Sequence, residues 1–217
     1  MFSRDYLVRL IEDMTSVLGK AMGLRQENKL TEAEWEIDDL FQRRFRLSGP
    51  LIHSLSPEDL ITMFTFNGVL ESDRVQGVAL LLKEQALIDE AKNDPAQATV
   101  RRMKALHLLA YASVHGAPVK WIQTHDEMNQ LIELLQGKGM AVSLHQVLWT
   151  YYESVGNYAK AEDHLFYIRD RQIDVTEEGI AFYHRLLEQT DEALEKGGLP
   201  RGEVLQGLSQ LQQHREV

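Results

Sequence analysis

Eight histidines, at 53, 107, 115, 125, 145, 164, 184 and 214, are the side chains here best suited to hold a metal or carry a proton. A helical zinc or di-iron site takes ligands at one-turn spacing, as His-x-x-x-His or as Glu-x-x-His on facing helices. No two of these histidines are three or four residues apart, and none has an acid three residues before it. They read as surface or partly packed side chains, and neither a metal nor another cofactor is expected. The chain has 217 residues and no cysteine, which excludes disulfides, thiolate metal sites and cysteine nucleophiles.

Other reactive patterns are equally thin. There is no Gly-x-Ser-x-Gly elbow and no phosphate-cradling glycine loop. The acid pairs Asp38-Asp39 and Glu177-Glu178 are adjacent in sequence, so on a helix they diverge. They suit a solvated first turn better than acid–base work. No catalytic residue is assigned, and the chain is expected not to be an enzyme; the alternative, an enzyme or small-molecule sensor using a pocket between helices, has no motif behind it. Two basic clusters, Arg43-Arg44-Phe45-Arg46 and Arg101-Arg102-x-Lys104, could meet an acidic partner or RNA. Each also falls where a helix end or an exposed face would want charge. A net charge of 23 − 33 = −10 favours the second reading and argues against nucleic acid or an anionic membrane as partner. The apolar run Val78–Leu82 stops at Lys83, far too short to span a bilayer. Asp5, Glu12 and Asp13 interrupt any signal-peptide core, and a cytoplasmic setting is expected.

The elements that must carry these residues are helices. Apolar residues recur every three or four positions, and sustained alternation of β-branched residues is absent. Thr31-Glu32-Ala33-Glu34 reads as a capping box. Ser56-Pro57-Glu58-Asp59 and Asp94-Pro95-Ala96-Gln97 each offer a cap followed by a first-turn proline. This punctuation predicts helices over 3–27, 31–46, 57–66, 71–92, 95–115, 118–136, 140–155, 158–171 and 176–196, with a short one over 201–213. Short connectors make neighbours antiparallel. The residues are expected to form one all-α domain over 1–217, with a possible bend at 47–56 around Gly49-Pro50.

The segment Trp149–Ile168, WTYYESVGNYAKAEDHLFYI, explains how two such helices grip each other. Gly156 can take positive φ and stop the first helix. Ala161 falls where the second helix crosses the first, and a small side chain there lets the axes approach. Leu148, Trp149, Tyr152, Gly156, Tyr158, Ala161, Leu165 and Ile168 together resemble the tetratricopeptide repeat (TPR). Trp149 and Ile168 depart from it, because the family usually has small residues there. Leu24, Asn28, Leu30, Ala33, Ile37 and Leu40 keep the same spacing, whereas Pro118-Val119-Lys120-Trp121 lacks the small crossing residue. The stretches RDYLVRLIEDMTSVLGKAM and LSPEDL also resemble a group of bacterial cytoplasmic proteins of unknown function, which implies no activity.

The TPR resemblance implies a right-handed stack of antiparallel hairpins that binds a peptide or protein segment on its concave face. That face is expected to run through helices 95–115 and 140–155. On the second of these the ligand-facing strip would be Ser143, Gln146, Thr150, Glu153 and Ser154, all polar. This set does not match the Lys/Asn/Arg clamp with which some repeats hold a terminal carboxylate. The alternative reading of the same strip is an ordinary wet helix face. Val204, Leu205, Leu208 and Leu211 form a stripe on the last helix. It could cap residues 176–196, or it could join two copies as a homodimer.

Overall fold

The computed structural model describes residues 2–117 and 121–215, and the side chains of 5–117 and 121–213. The described residues are predominantly helical and fall into two compact units, 1–138 and 139–217.

In the first unit α1 (Phe2–Gln26) pairs with α2 (Leu30–Leu40), and α5 (Ser72–Ala91) pairs with α6 (Pro95–His115). Both α1 and α2 rest on α5. α5 therefore has buried residues on every side, including Val75, Val78, Leu81, Leu82, Gln85, Ile88 and Asp89. A helix enclosed in this way needs no single apolar stripe. Gly77 lets α5 approach closely, since a methyl there would lie 3.1 Å from Phe45. After α2 a π-helical turn, Phe41–Phe45, buries both phenylalanines and ends at Arg46 with φ +57°. The short helices α3 (Gly49–Ser54) and α4 (Pro57–Met63) follow. α3 is capped by the Ser48 hydroxyl. The predicted Ser56/Asp59 box caps α4. α7 (Thr124–Leu134) packs on α6, and Pro118, Val119 and Lys120, expected to open it, lie outside the described residues.

Two predicted helices end early. The 57–66 helix stops at Met63, and the chain enters a two-stranded hairpin, β1 (Thr65–Phe66) and β2 (Val69–Leu70). Asn67 and Gly68 turn it with φ +50° and +77°, the mirror-image turn that matches strand twist. The helix predicted over 176–196 breaks into α10 (Thr176–Leu187) and α11 (Asp191–Lys196), because the Thr190 hydroxyl caps a new start at Ala193 N–H. The Thr31–Glu34 box does not form. α2 begins at Leu30, so Thr31 is already inside the helix, and Glu34 pairs with Lys92 instead.

The second unit holds two helix pairs, α8 (Val142–Ser154) with α9 (Tyr158–Arg169) and α10 with α12 (Arg201–Arg215). Trp149 meets Phe182 edge-on at 5.7 Å, and the Tyr183 hydroxyl donates to Glu162 at 2.5 Å. These contacts tie α10 to both members of the first pair.

Three hairpins, α1–α2, α5–α6 and α8–α9, turn in the same way. Asn28, Asn93 and Gly156 adopt φ +59°, +62° and +74°. The next residue's N–H then reaches back to the carbonyl of Leu24, Asp89 or Tyr152 at 2.8–2.9 Å. Five residues after each turn residue stands a fully buried alanine: Ala33, Ala98 and Ala161.

Candidate functional site

The α8–α9 hairpin carries the strip predicted for a partner. Leu148, Trp149, Tyr152, Tyr158, Ala161, Leu165 and Ile168 are all buried, as their spacing requires. Asn157 accepts from Lys160 N–H at 3.3 Å and so caps α9. Of the strip residues, Gln146, Thr150 and Ser154 are exposed, and Ser143 and Glu153 are half-buried. Thr150 and Ser154 return their hydroxyls to backbone carbonyls of α8, at Gln146 and Tyr151. Glu153 is engaged by Arg185 of α10 in a two-point contact at 2.6 and 2.9 Å. The strip is thus a polar, solvated helix face with one carboxylate already paired.

Immediately after Ser154 the chain enters a recess of about 470 Å³. It is lined by Val155–Ala159 on one side and by Ala193 and Lys196–Gly198 on the other. Gly197 is required there, because an added methyl would lie within 2.9 Å of the Tyr158 ring. Ala159 N–H donates to Gly197 O at 3.0 Å and fixes the two walls. No motif announces this recess, since its walls come from two turns forty residues apart.

Behind the strip lies a feature the histidine spacing did not reveal. His145 of α8 and His164 of α9 meet with their Nδ1 atoms 2.8 Å apart. His145 stacks on Tyr167 at 3.4 Å between centroids, and His164 stacks on Tyr152 at 5.5 Å. The Arg171 guanidinium lies over Tyr167, and the Lys160 ammonium over Tyr152. The result is a column of six side chains, with a cation at each end and two imidazoles at its centre. Burial is the main cause holding both imidazoles down to a pKa of about 4. Arg171 adds to it at His145; the neighbouring His145 and Lys160 add to it at His164.

The first unit holds a buried polar network that corrects the reading of one basic cluster. Arg101, Arg102 and Lys104 do not decorate an exposed face; all three are buried. The Lys104 ammonium donates to the carbonyls of Ile52, His53 and Leu55 at 2.5–2.9 Å, closing the C-terminal end of α3. Arg102 reaches Glu90 at 2.6 Å. Arg101 stands 3.1 Å from Asp89 without hydrogen-bond alignment, so the two form an ion pair only. Nearby, Gln85 donates to Asp38 at 3.1 Å, and its carbonyl oxygen faces His53 Nε2 at 2.9 Å. Asp38 can only accept when ionised, so Gln85 presents its oxygen to His53. His53 therefore carries its proton on Nε2. Burial lowers the basicity of His53 and raises the pKa of Asp38. The other cluster is paired as expected of a helix end: Arg43 with Asp39 at 2.6 Å and Arg44 with Asp13. Two histidines expected at the surface or partly packed, His107 and His145, are buried. Among the described residues no group of three His, Cys, Asp or Glu could hold a metal ion.

The stripe on α12 is covered within the chain. Val204, Leu208 and Leu211 are buried, in a helix packed on α10, and Leu205 alone is exposed. No described helix is long and apolar enough to cross a membrane.

These features define an all-α protein of helical hairpins with a polar helix face leading into a recess. Residues 1–216 match DUF6483, a family of unknown function, and the chain belongs to that family. No curated protein and no solved structure matches it.

Proposed function

We propose that the chain is a non-enzymatic, TPR-like helical module that captures a peptide or protein segment along α8. The observation that carries this reading is the exposed polar face at Gln146, Thr150 and Ser154, running directly into the recess at Val155–Ala159. Binding sites favour concave surfaces, and Val155, half exposed at the lip, offers an apolar contact. The recurring turn and buried alanine at 28/33, 93/98 and 156/161 support descent of the hairpins from one repeated unit. A cytoplasmic setting belongs to the same proposal, in keeping with a cysteine-free chain.

A photoreactive residue placed at Thr150 in the native host tests it. The expected result is one dominant adduct that is absent when the probe sits at Ser16, an exposed residue of α1. Thr150→Arg should abolish recovery of that protein by the tagged chain while leaving helicity unchanged. Equal adducts from both positions, or undiminished recovery by Thr150→Arg, would refute the site.

A further inference from the structure

The six-membered column of α8 and α9 has a property that packing alone does not require. At 2.8 Å the space between the two Nδ1 atoms admits one proton: one ring donates and the other accepts. A first added proton can go to the far nitrogen of the donor ring and leave that bond intact. A second must sit on the acceptor's Nδ1, where it meets an N–H head-on. We propose that His145 and His164 form an acid-operated latch, which holds α9 against α8 while a single proton is shared and releases the hairpin when both rings are protonated.

The surroundings make the second proton costly. From α9 and the turn after it, His145 faces His164, Tyr167 and Arg171. From α8, His164 faces His145 and Tyr152, with Lys160 of its own helix over the Tyr152 ring. The charges acting on the two rings are cationic. Carboxylates on the same helices are engaged or turned away: Glu153 by Arg185, Glu162 by Tyr183, and Asp163 toward solvent. The rings of Tyr167 and Tyr152, which could otherwise have stabilised an imidazolium, already carry Arg171 and Lys160.

The sign follows from the two states. Both imidazoles titrate near 4 in the folded hairpin, against an ordinary value of 6.5 once released. Their folded-state pKa values are depressed, so the released form binds more protons. The latch is fully closed above about pH 6.5 and weakens as pH falls from there toward 4. Each proton taken up on opening multiplies the open population by about ten per pH unit over that window. The two steps belong to the pair rather than to either residue.

Amide hydrogen exchange read by mass spectrometry across pH 7.5–4, corrected for the intrinsic rate, tests this without any partner. Peptides from 142–169 should lose protection by at least tenfold per pH unit below 6, while peptides from α10 and α12 stay protected. The double variant His145→Gln, His164→Gln should lose that selective loss. If it does not fold, Arg171→Gln with Lys160→Gln decides, since both act from the ends of the column. Relieving the cationic clamp raises the folded pKa values and should move opening to lower pH. Equal protection of 142–169 at pH 7 and pH 4 would overturn the proposal. So would a pH profile unchanged in either variant. The latch stands or falls apart from the proposed capture function, because no ligand enters the measurement.

Discussion

Replacing Gly207 with alanine sets two effects against each other at one position. Gly207 lies within α12, where alanine is favoured over glycine by about 1 kcal/mol through lower backbone entropy. A methyl built there would lie 2.7 Å from Cε1 of Tyr183, and closer still to Cζ and the hydroxyl oxygen. Tyr183 cannot swing aside. Its ring is fully buried on α10 beside Phe182, and its hydroxyl is tied to Glu162 of α9 at 2.5 Å. Overpacking of a core typically costs about 1–3 kcal/mol, and a ring held at both ends places this case near the top of that range. The net expectation is a loss of about 1–2 kcal/mol. With a urea dependence of about 1–2 kcal/mol per molar, the midpoint should fall by roughly 1 M. Gly19→Ala is the control. It lies within α1, is exposed, and has nothing within 4 Å of the added methyl. The same substitution there should raise the midpoint, by about 0.5 M, from about 1 kcal/mol of helix preference. Urea titration followed by far-ultraviolet circular dichroism reads both. If Gly207→Ala stabilises as much as Gly19→Ala, then α12 is not seated on Tyr183, and the covered stripe of Val204, Leu208 and Leu211 must be reassigned.

Lys104→Met keeps the apolar stem but removes the ammonium that serves three carbonyls at the end of α3. A loss of about 3 kcal/mol is expected, since bonds from a charged donor contribute about 1.5–3 kcal/mol and the carbonyls are left without it. Thermal unfolding should show it, and a wild-type melting temperature would show that Lys104 is not so placed. Asp94→Ala removes the cap on Gln97 N–H at the start of α6 and should cost about 1 kcal/mol in the same assay. An unchanged value would put the start of α6 elsewhere.

Caps at Ser56 and Asp94 made two helix starts legible in the sequence, because each needs only residues within one turn. The Thr31 box misled for the same local reason. Whether a threonine caps depends on where the preceding turn ends, and Asn28 with its positive φ ended it one residue too early. Thr65-Phe66-Asn67-Gly68-Val69-Leu70 did carry a readable signal, Asn-Gly between two short strand-forming pairs, and it marks a hairpin whose first strand falls inside the helix predicted over 57–66. Ala161 and its hairpin were legible because the turn, the small residue and the aromatics lie within twenty residues. The same register at Asn93 and Ala98 was not legible, because no glycine or aromatic residue marks that turn. Burial of Arg101, Arg102 and Lys104 was not legible. Enclosure by α3–α5 is a tertiary fact, and charge alone argues for exposure. The meeting of His145 with His164 escaped a search at one-turn spacing because folding back about Gly156 brings residues nineteen apart face to face.

The three-residue turns at 27–29, 92–94 and 155–157 bear on how the chain assembles. Joining ends so close together costs little loop entropy, so each pair of coils can associate before distant segments arrive. Rates of folding rise as contacting residues lie nearer along the chain. α5 nevertheless stays incomplete in such an early pair, since α1 and α2 must still cover its remaining sides. During synthesis those two coils emerge first, so α5 and α6 meet a partner that is already waiting.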